Sequence, residues 1–356
     1  MRYEGTEDST ERRDWLVYPW QVDTRVTRWL ARHPDTVRAE WLEQYTRHKV
    51  WSVAVSDWNA PAEAKRTILF CVPHAHEPAG TAGCMNAIEQ LVAGRHLDGA
   101  PSTLDRERIL REAVLLFIPD GNPYGRSRCP EPVWEGRRYN NREFINMVFG
   151  IGALYSTEPT KPRWETFKRV PAYSVREEAP ARIGLAYEQV GEYDYVEPGR
   201  GDDRATLARA IHRLGERYAI DRVLSLHQTE FEGREGSNCM VMLPGAQPSL
   251  PEALQRANLS WAEALNTAWR RVGGSPTPID RGLADRPPSS AGLHRRDMGG
   301  IWHELQAAAP YLVAEIQNNN PLTPAEDQLL LMDSAIWASV AHLLDGAAEG
   351  APTTPA

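Results

Sequence analysis

His74, His76 and Glu77 close an apolar, β-type run, Thr67-Ile-Leu-Phe-Cys-Val-Pro, and are followed at once by Pro78 and Gly80. Two imidazoles and a carboxylate therefore emerge together where a buried strand gives way to a loop. His74 and Glu77 stand three positions apart, and a short irregular turn lets both reach one ion, each donor about 2 Å from zinc. Two ligands do not hold zinc, so a third has to come from elsewhere in the chain. His76 reads as a neighbour of the site and not as a ligand.

The donors must be carried there by strands. Ala113-Val-Leu-Leu-Phe-Ile118 is a second buried strand, separated from the first by an apolar helical stripe at Met85, Ile88, Leu91 and Val92. Strand, helix, strand at this spacing is a βαβ unit with parallel strands, and such units collect ligands at the carboxyl ends of the strands. Arg222-Val-Leu-Ser-Leu-His227 again ends in a histidine, and Tyr311-Leu-Val-Ala-Glu315-Ile brings a carboxylate. Parallel strands deliver such ends to one edge of a sheet. Two histidines and a carboxylate, His74, Glu77 and His227, leave a fourth position on zinc for water, and Glu315 is placed to act as general base.

Between these strands the periodicity predicts helices over 203–218, 253–272 and 323–344, a short one near 142–154, and a strand at 239–244. Residues 1–50 read as a leading helical cap, including 37–45, with Trp51–Ser56 as an edge strand. Residues 122–200 read as loop layer, 155–200 as a loop-rich insert, and 346–356 as a disordered small-residue tail.

Composition narrows the setting. The chain has 356 residues and a net charge of −8, which disfavours nucleic acid or an anionic membrane as partner. No stretch of about 18 uncharged apolar residues is present and Met1–Trp20 lacks the features of a signal peptide, so a cytoplasmic protein is expected. The four cysteines are dispersed and read as reduced thiols. Several of the twelve tryptophans, Trp134, Trp164 and Trp302 among them, fall in loop-like sequence, where large rings line pockets.

Taken in order, His74-x-x-Glu77, the turn Ile118-Pro-Asp-Gly121, Asn141-Arg142, Leu226-His227 and Ala314-Glu315 resemble the zinc carboxypeptidases and their aspartoacylase and succinylglutamate desuccinylase relatives. The resemblance implies a three-layer α/β/α domain over 51–345 with a mixed, mostly parallel sheet of about eight strands, one zinc, and hydrolysis of an amide. It implies that Glu315 is the base, that Asn141 and Arg142 grip a substrate carboxylate, and that Arg137 or Arg138 polarises the scissile carbonyl. Arg126 and Arg128 join these in a basic cluster read as anion-binding. The family's loop tyrosine has no counterpart between Arg271 and Pro310, where His294, Arg295, Arg296, Trp302 and His303 stand instead, and Ile118 replaces the family's turn asparagine.

The leading expectation is a carboxypeptidase-type metallopeptidase acting on a peptide or small amino-acid conjugate with a free carboxylate. A deacylase of N-acyl amino acids is the nearest alternative. An amidohydrolase barrel using His74 and His76, and a binding protein without catalysis, are further ones.

Overall fold

The computed structural model describes residues 15–62, 65–136, 139–151, 172–176, 182–230, 236–279 and 300–346. Helix α1 (Pro19–Arg32) leads into a hairpin of β1 (Val37–Glu43) and β2 (Lys49–Val55), then β3 (Arg66–Cys71), α2 (Pro78–Ala93), α3 (Arg106–Glu112) and β4 (Ala113–Ile118). Helices α4 (Pro123–Ser127) and α5 (Asn141–Phe149) precede five short strands: β5 (Gly150–Ile151), β6 (Ala172–Ser174), β7 (Arg182–Ile183), β8 (Glu188–Gln189) and β9 (Asp194–Val196). The chain continues through α6 (Thr206–Arg217), β10 (Arg222–Thr229), β11 (Cys239–Met242), α7 (Glu252–Arg271), α8 (Gly300–Ala308), β12 (Tyr311–Gln317) and α9 (Ala325–Asp345).

Seven strands form the main sheet among the described residues, in the order β1-β2-β4-β3-β10-β12-β11. The middle four are parallel and the outer pairs antiparallel. The centre is parallel because its strands are apolar on both faces: every residue of β4, and all of β3 after Arg66, is buried. Side chains alternate between two cores. Ile68, Phe70, Leu224 and Leu312 pack under α2, α7 and α9, whereas Leu69, Cys71, Val223 and Tyr311 pack under α6 and α8. That is the three-layer arrangement expected, with seven strands in place of about eight.

Helix α2 is buried along nearly its whole length. Gly83 permits this, because a Cβ there would lie 2.5 Å from Met332 Cγ of α9. Gly94 ends the helix in the left-handed region at φ 69°.

Two expectations fail near the N-terminus. Residues 37–43 form a strand and not a helix, and Trp51–Ser56 is internal to the sheet because β1 pairs outside it, with Val37 opposite Val55 and Trp41 opposite Trp51. The three-to-four spacing of Val37, Trp41 and Tyr45 marked no common face: Trp41 and Tyr45 are exposed, while Val37 and Leu42 are buried. Cross-strand pairing, including the tilted Trp41–Trp51 contact at 5.0 Å, outweighs local propensity here. The segment after α4 is also less irregular than expected. Trp134, Phe144, Val148, Leu185, Tyr187 and Tyr195 build a third, small core. The expected tail after Gly346 and the central part of the insert lie outside the described residues.

Asp120, in the turn after β4, is buried, with Oδ1 accepting from the Asn122 amide at 3.1 Å and Oδ2 without a hydrogen-bond partner among the described residues. Burial pushes its carboxyl up to about 7, against the opposing pull of Arg126. A raised carboxyl favours folding while it keeps its proton, so this contribution is complete below the ordinary value near 3.8 and is lost as pH rises through about 7. Asp120→Asn is therefore expected to stabilise the protein above pH 7, by on the order of 4 kcal/mol at most, and to change little at pH 4. Denaturant unfolding of both proteins across that range measures the gap; a gap independent of pH contradicts the assignment.

Candidate metal centre and cavity

Strands β3, β10 and β12 are parallel neighbours, so their carboxyl ends meet on one edge. The chain after β3 turns sharply at His74–Glu77, and its carbonyls are individually held. Arg126 Nη1 donates to Ala75 O at 3.1 Å, Trp134 Nε1 donates to His76 O at 2.8 Å, and the Ala79 amide donates to Gln228 Oε1 at 2.8 Å. Gln228 Nε2 in turn donates to Gln328 Oε1 at 2.8 Å, and Gln328 Nε2 donates to Trp134 O at 3.0 Å. A closed set of amides thus ties the loop to β10 and α9, where unsatisfied groups are costly.

His74, Glu77 and His227 converge, with one donor atom from each within 4.8 Å of the others. His74 Nδ1 lies 2.9 Å from Glu77 Oε1, and His227 Nδ1 lies 3.1 Å from Glu77 Oε2. The outer nitrogens are taken elsewhere: His74 Nε2 is 2.7 Å from Glu197 Oε1 and His227 Nε2 is 2.7 Å from Ser225 Oγ. Both rings therefore turn Nδ1 inward to one point. Burial alone would raise the Glu77 carboxyl, but the two imidazoles oppose it and hold the group well below the usual carboxylate range. Two imidazole nitrogens and a carboxylate oxygen, all buried or nearly so, are the donor set that zinc takes. The residues present fit such an ion.

His76 stacks on His74 with ring centroids 5.3 Å apart and lies outside the trio. Glu315 is directly opposite His227 in the β10–β12 register and is 8% exposed. A cavity of about 210 Å³ joins these groups and is walled on one side by Phe144, Ile145 and Val148 of α5. Asn141 and Arg142 form the first turn of α5, with Asn140 as N-cap. Arg137 and Arg138 lie outside the described residues, as do His294, Arg295 and Arg296.

The anion-binding reading of Arg126 and Arg128 does not hold. Arg126 is buried and donates to the carbonyls of Ala75 and Glu131, and Arg128 donates to those of Ile183 and Gly184. Both guanidinium groups serve the backbone. The barrel alternative fails too, since the sheet is open, with β1 and β11 at its edges.

Sequence reasoning missed Glu197. It is wholly buried, bridges His74 to Arg200 (Nε to Oε2, 2.9 Å), and precedes a turn in which a Cβ on Gly199 would fall 2.2 Å from His74 Nε2. The signal was present: an acid directly after the short strand β9 and before Pro-Gly, the same strand-end placement that marked His74 and His227. Ser225 was legible by alternation, two residues before His227 on the same face.

No family model matches the chain, and no curated protein is similar to it in sequence. Solved structures are similar in fold, and the class they define is the metallo-carboxypeptidases. Carboxypeptidase A from Helicoverpa armigera aligns over 98% of this chain and 78% of its own at 14% identity, with a TM-score of 0.56. Thrombin activatable fibrinolysis inhibitor aligns over 96% and 78% at 12% identity, with a TM-score of 0.58. The metallo-carboxypeptidase from Pseudomonas aeruginosa, in complex with (2-guanidinoethylmercapto)succinic acid, aligns over 92% and 68% at 14% identity, with a TM-score of 0.53. The chain has the metallo-carboxypeptidase fold. Among the described residues no helix is long and apolar enough to cross a membrane.

Proposed function

We propose that the protein is a zinc-dependent hydrolase of carboxypeptidase type, cleaving an amide bond in a peptide or small amino-acid conjugate that carries a free carboxylate. The observation that carries this reading is the placement of Glu315 opposite His227, beside the converged His74, Glu77 and His227, in the lining of one cavity. The Pseudomonas enzyme of the same fold is seen with a succinic acid derivative, which supports a carboxylate-bearing substrate.

His74, Glu77 and His227 would hold the ion. When bound, zinc supplies a Lewis acid that polarises a carbonyl and makes water acidic near neutral pH. Glu315 takes the proton of the attacking water and returns it to the leaving nitrogen, a transfer suited to a buried carboxylate that lines the cavity. Asn141 and Arg142 grip the substrate carboxylate, and Arg137 or Arg138 steadies the oxyanion. The apolar wall of Phe144, Ile145 and Val148 limits entry of further water.

Glu197 orients His74 by accepting its Nε2 proton, and Arg200 Nε donates to the other oxygen of that carboxylate at 2.9 Å. Glu197→Gln is expected to weaken zinc binding by about 10- to 100-fold, read by competition against a chromogenic chelator.

The reading as a whole is tested with zinc-loaded protein on N-acylated dipeptides, each offered with a free and with an amidated C-terminus. Hydrolysis confined to the free acids is expected. Hydrolysis of simple N-acyl amino acids with no action on dipeptides favours deacylation instead, and inertness toward both sets removes the reading.

A further inference from the structure

Helices α7 and α9 cover the face of the sheet opposite α8, whose Trp302 lines the cavity. They run antiparallel: Trp269 Nε1 donates to Leu331 O at 2.8 Å and Trp261 Nε1 donates to Ser339 Oγ at 2.9 Å, so the numbering falls along one helix as it rises along the other. On their outer side lies an open groove of about 650 Å³, reaching from Arg271, Val272 and Leu330 at one end to Ala341 and Asp345 at the other. From Leu330 to Asp345 it follows α9 for about 22 Å. Small side chains make the room, Ala264 and Ala268 on α7 and Ser334 and Ala338 on α9. The groove shares no residue with the cavity at the candidate metal centre.

The two ends of this groove complement each other. Leu330 projects at one end, 45% exposed, and Leu259, 40% exposed, stands near the other, two residues before Trp261 and so about level with Ala341. Arg271, two residues past Trp269, stands beside Leu330 and makes no ion pair among the described residues. At the far end Asp345 Oδ1 accepts from Arg108 Nη2 at 2.9 Å, and 65% of the Asp345 side chain stays exposed. The other titratable groups of the lining are engaged from within. Asp333 Oδ1 accepts from Asn86 Nδ2 at 3.0 Å and from Gln90 Nε2 at 2.8 Å, and His342 Nε2 lies 3.0 Å from Ser260 Oγ. A free cation and an exposed acid thus stand about 22 Å apart on one face, each about a turn or less from an exposed leucine.

We propose that this groove is the interface of a two-fold dimer, its occupant the α9 helix of a second copy of this chain. An axis passing between Ser334 and Trp337 lays the partner's α9 antiparallel along the groove. Positions equally far from the axis then meet: Leu330 comes against the partner's Ala341, level with the partner's Leu259, and Arg271 comes within about a turn of the partner's Asp345. Each contact is made twice, which is the self-complementarity of a closed two-fold pair. A parallel copy would set Arg271 against its own equivalent and Asp345 against its own, and like charges repel. The area is also of the right order. Two helices about 30 Å long and about 10 Å wide offer a footprint of about 600 Å², near the about 800 Å² per partner of a stable interface. The apolar stripe lies between the charged ends, as core lies within rim. This pairing leaves the cavity open and is independent of the hydrolase reading.

The test is the mass of the full chain by sedimentation equilibrium between about 1 and about 100 μM. A dimer is expected at the upper end. Leu330→Glu, Arg271→Glu and Asp345→Arg, each alone, should raise its dissociation constant about tenfold or more, while circular dichroism shows all three folded. Arg271→Glu combined with Asp345→Arg should restore the dimer, because the same pair re-forms with its signs exchanged. A wild type that stays monomeric overturns the interface, even where removal of residues 347–356 then yields a dimer, which would make that segment the occupant. A dimer that Trp41→Glu dissociates and Leu330→Glu leaves intact overturns it as well, by moving the contact to edge strand β1, where Trp41 is exposed. A doubly exchanged protein that dissociates as readily as the single variants removes the two-fold pairing.

Discussion

Glu315→Gln is expected to lower kcat by about a thousandfold while the bound zinc and the fold are unchanged. The substitution keeps the volume of a side chain that is buried on β12 and removes only its ability to take a proton. His74, Glu77 and His227 are untouched, and Glu315 lies outside that trio. KM should move little, because the groups assigned to substrate binding lie on α5 and in the segment before it. Elemental analysis, single-turnover rates and a thermal melt, run on one preparation, check all three statements together. A Glu315→Gln protein that turns over at the wild-type rate excludes Glu315 as the base, and one that has lost its zinc makes it a ligand instead.

His74→Ala should have the other large effect, complete loss of zinc after dialysis. The substitution leaves one imidazole and one carboxylate, fewer donors than a catalytic zinc site requires. It also removes the group between Glu77 and Glu197, two buried carboxylates that His74 contacts at 2.9 Å and 2.7 Å. Opening such a buried charged arrangement costs about 3–5 kcal/mol, so the variant should unfold at markedly lower denaturant than wild type stripped of metal. His76→Ala is the matched control: a histidine two residues away, stacked on His74, that should keep its zinc. If His74→Ala retains metal and His76→Ala loses it, the ligand assignment is wrong.

What the sequence made legible follows from where local pattern and tertiary environment agree. β3, β4, β10 and β12 are buried on both faces, so continuous apolar runs marked them, and polar residues at their ends stood out as interruptions. β1 has only Val37 and Leu42 buried, and its pairing with β2 is invisible to a single-segment periodicity. Glu197 escaped because its strand is three residues long and its partner, His74, is 123 positions away. The roles of Arg126 and Arg128 were misread for a related reason. A guanidinium bound to backbone carbonyls and one awaiting an anion carry the same sequence signature, and only the positions of Ala75, Ile183 and Gly184 in space tell them apart.

The pairing of His227 with Glu315 across one parallel ladder has an evolutionary consequence. The spacing between the proposed metal ligand and the proposed proton acceptor is set by backbone hydrogen bonds rather than by side-chain fit. A slip of one residue in either strand would carry its functional group through the sheet into the core beneath α2, α7 and α9. Insertions and deletions in homologous chains are therefore all-or-none within 222–229 and 311–317, whereas the connection between residues 230 and 310 can change in length outside β11, α7 and α8. Lineages can remodel what the protein acts on by lengthening that connection, while the two strands act as a fixed ruler for the reaction.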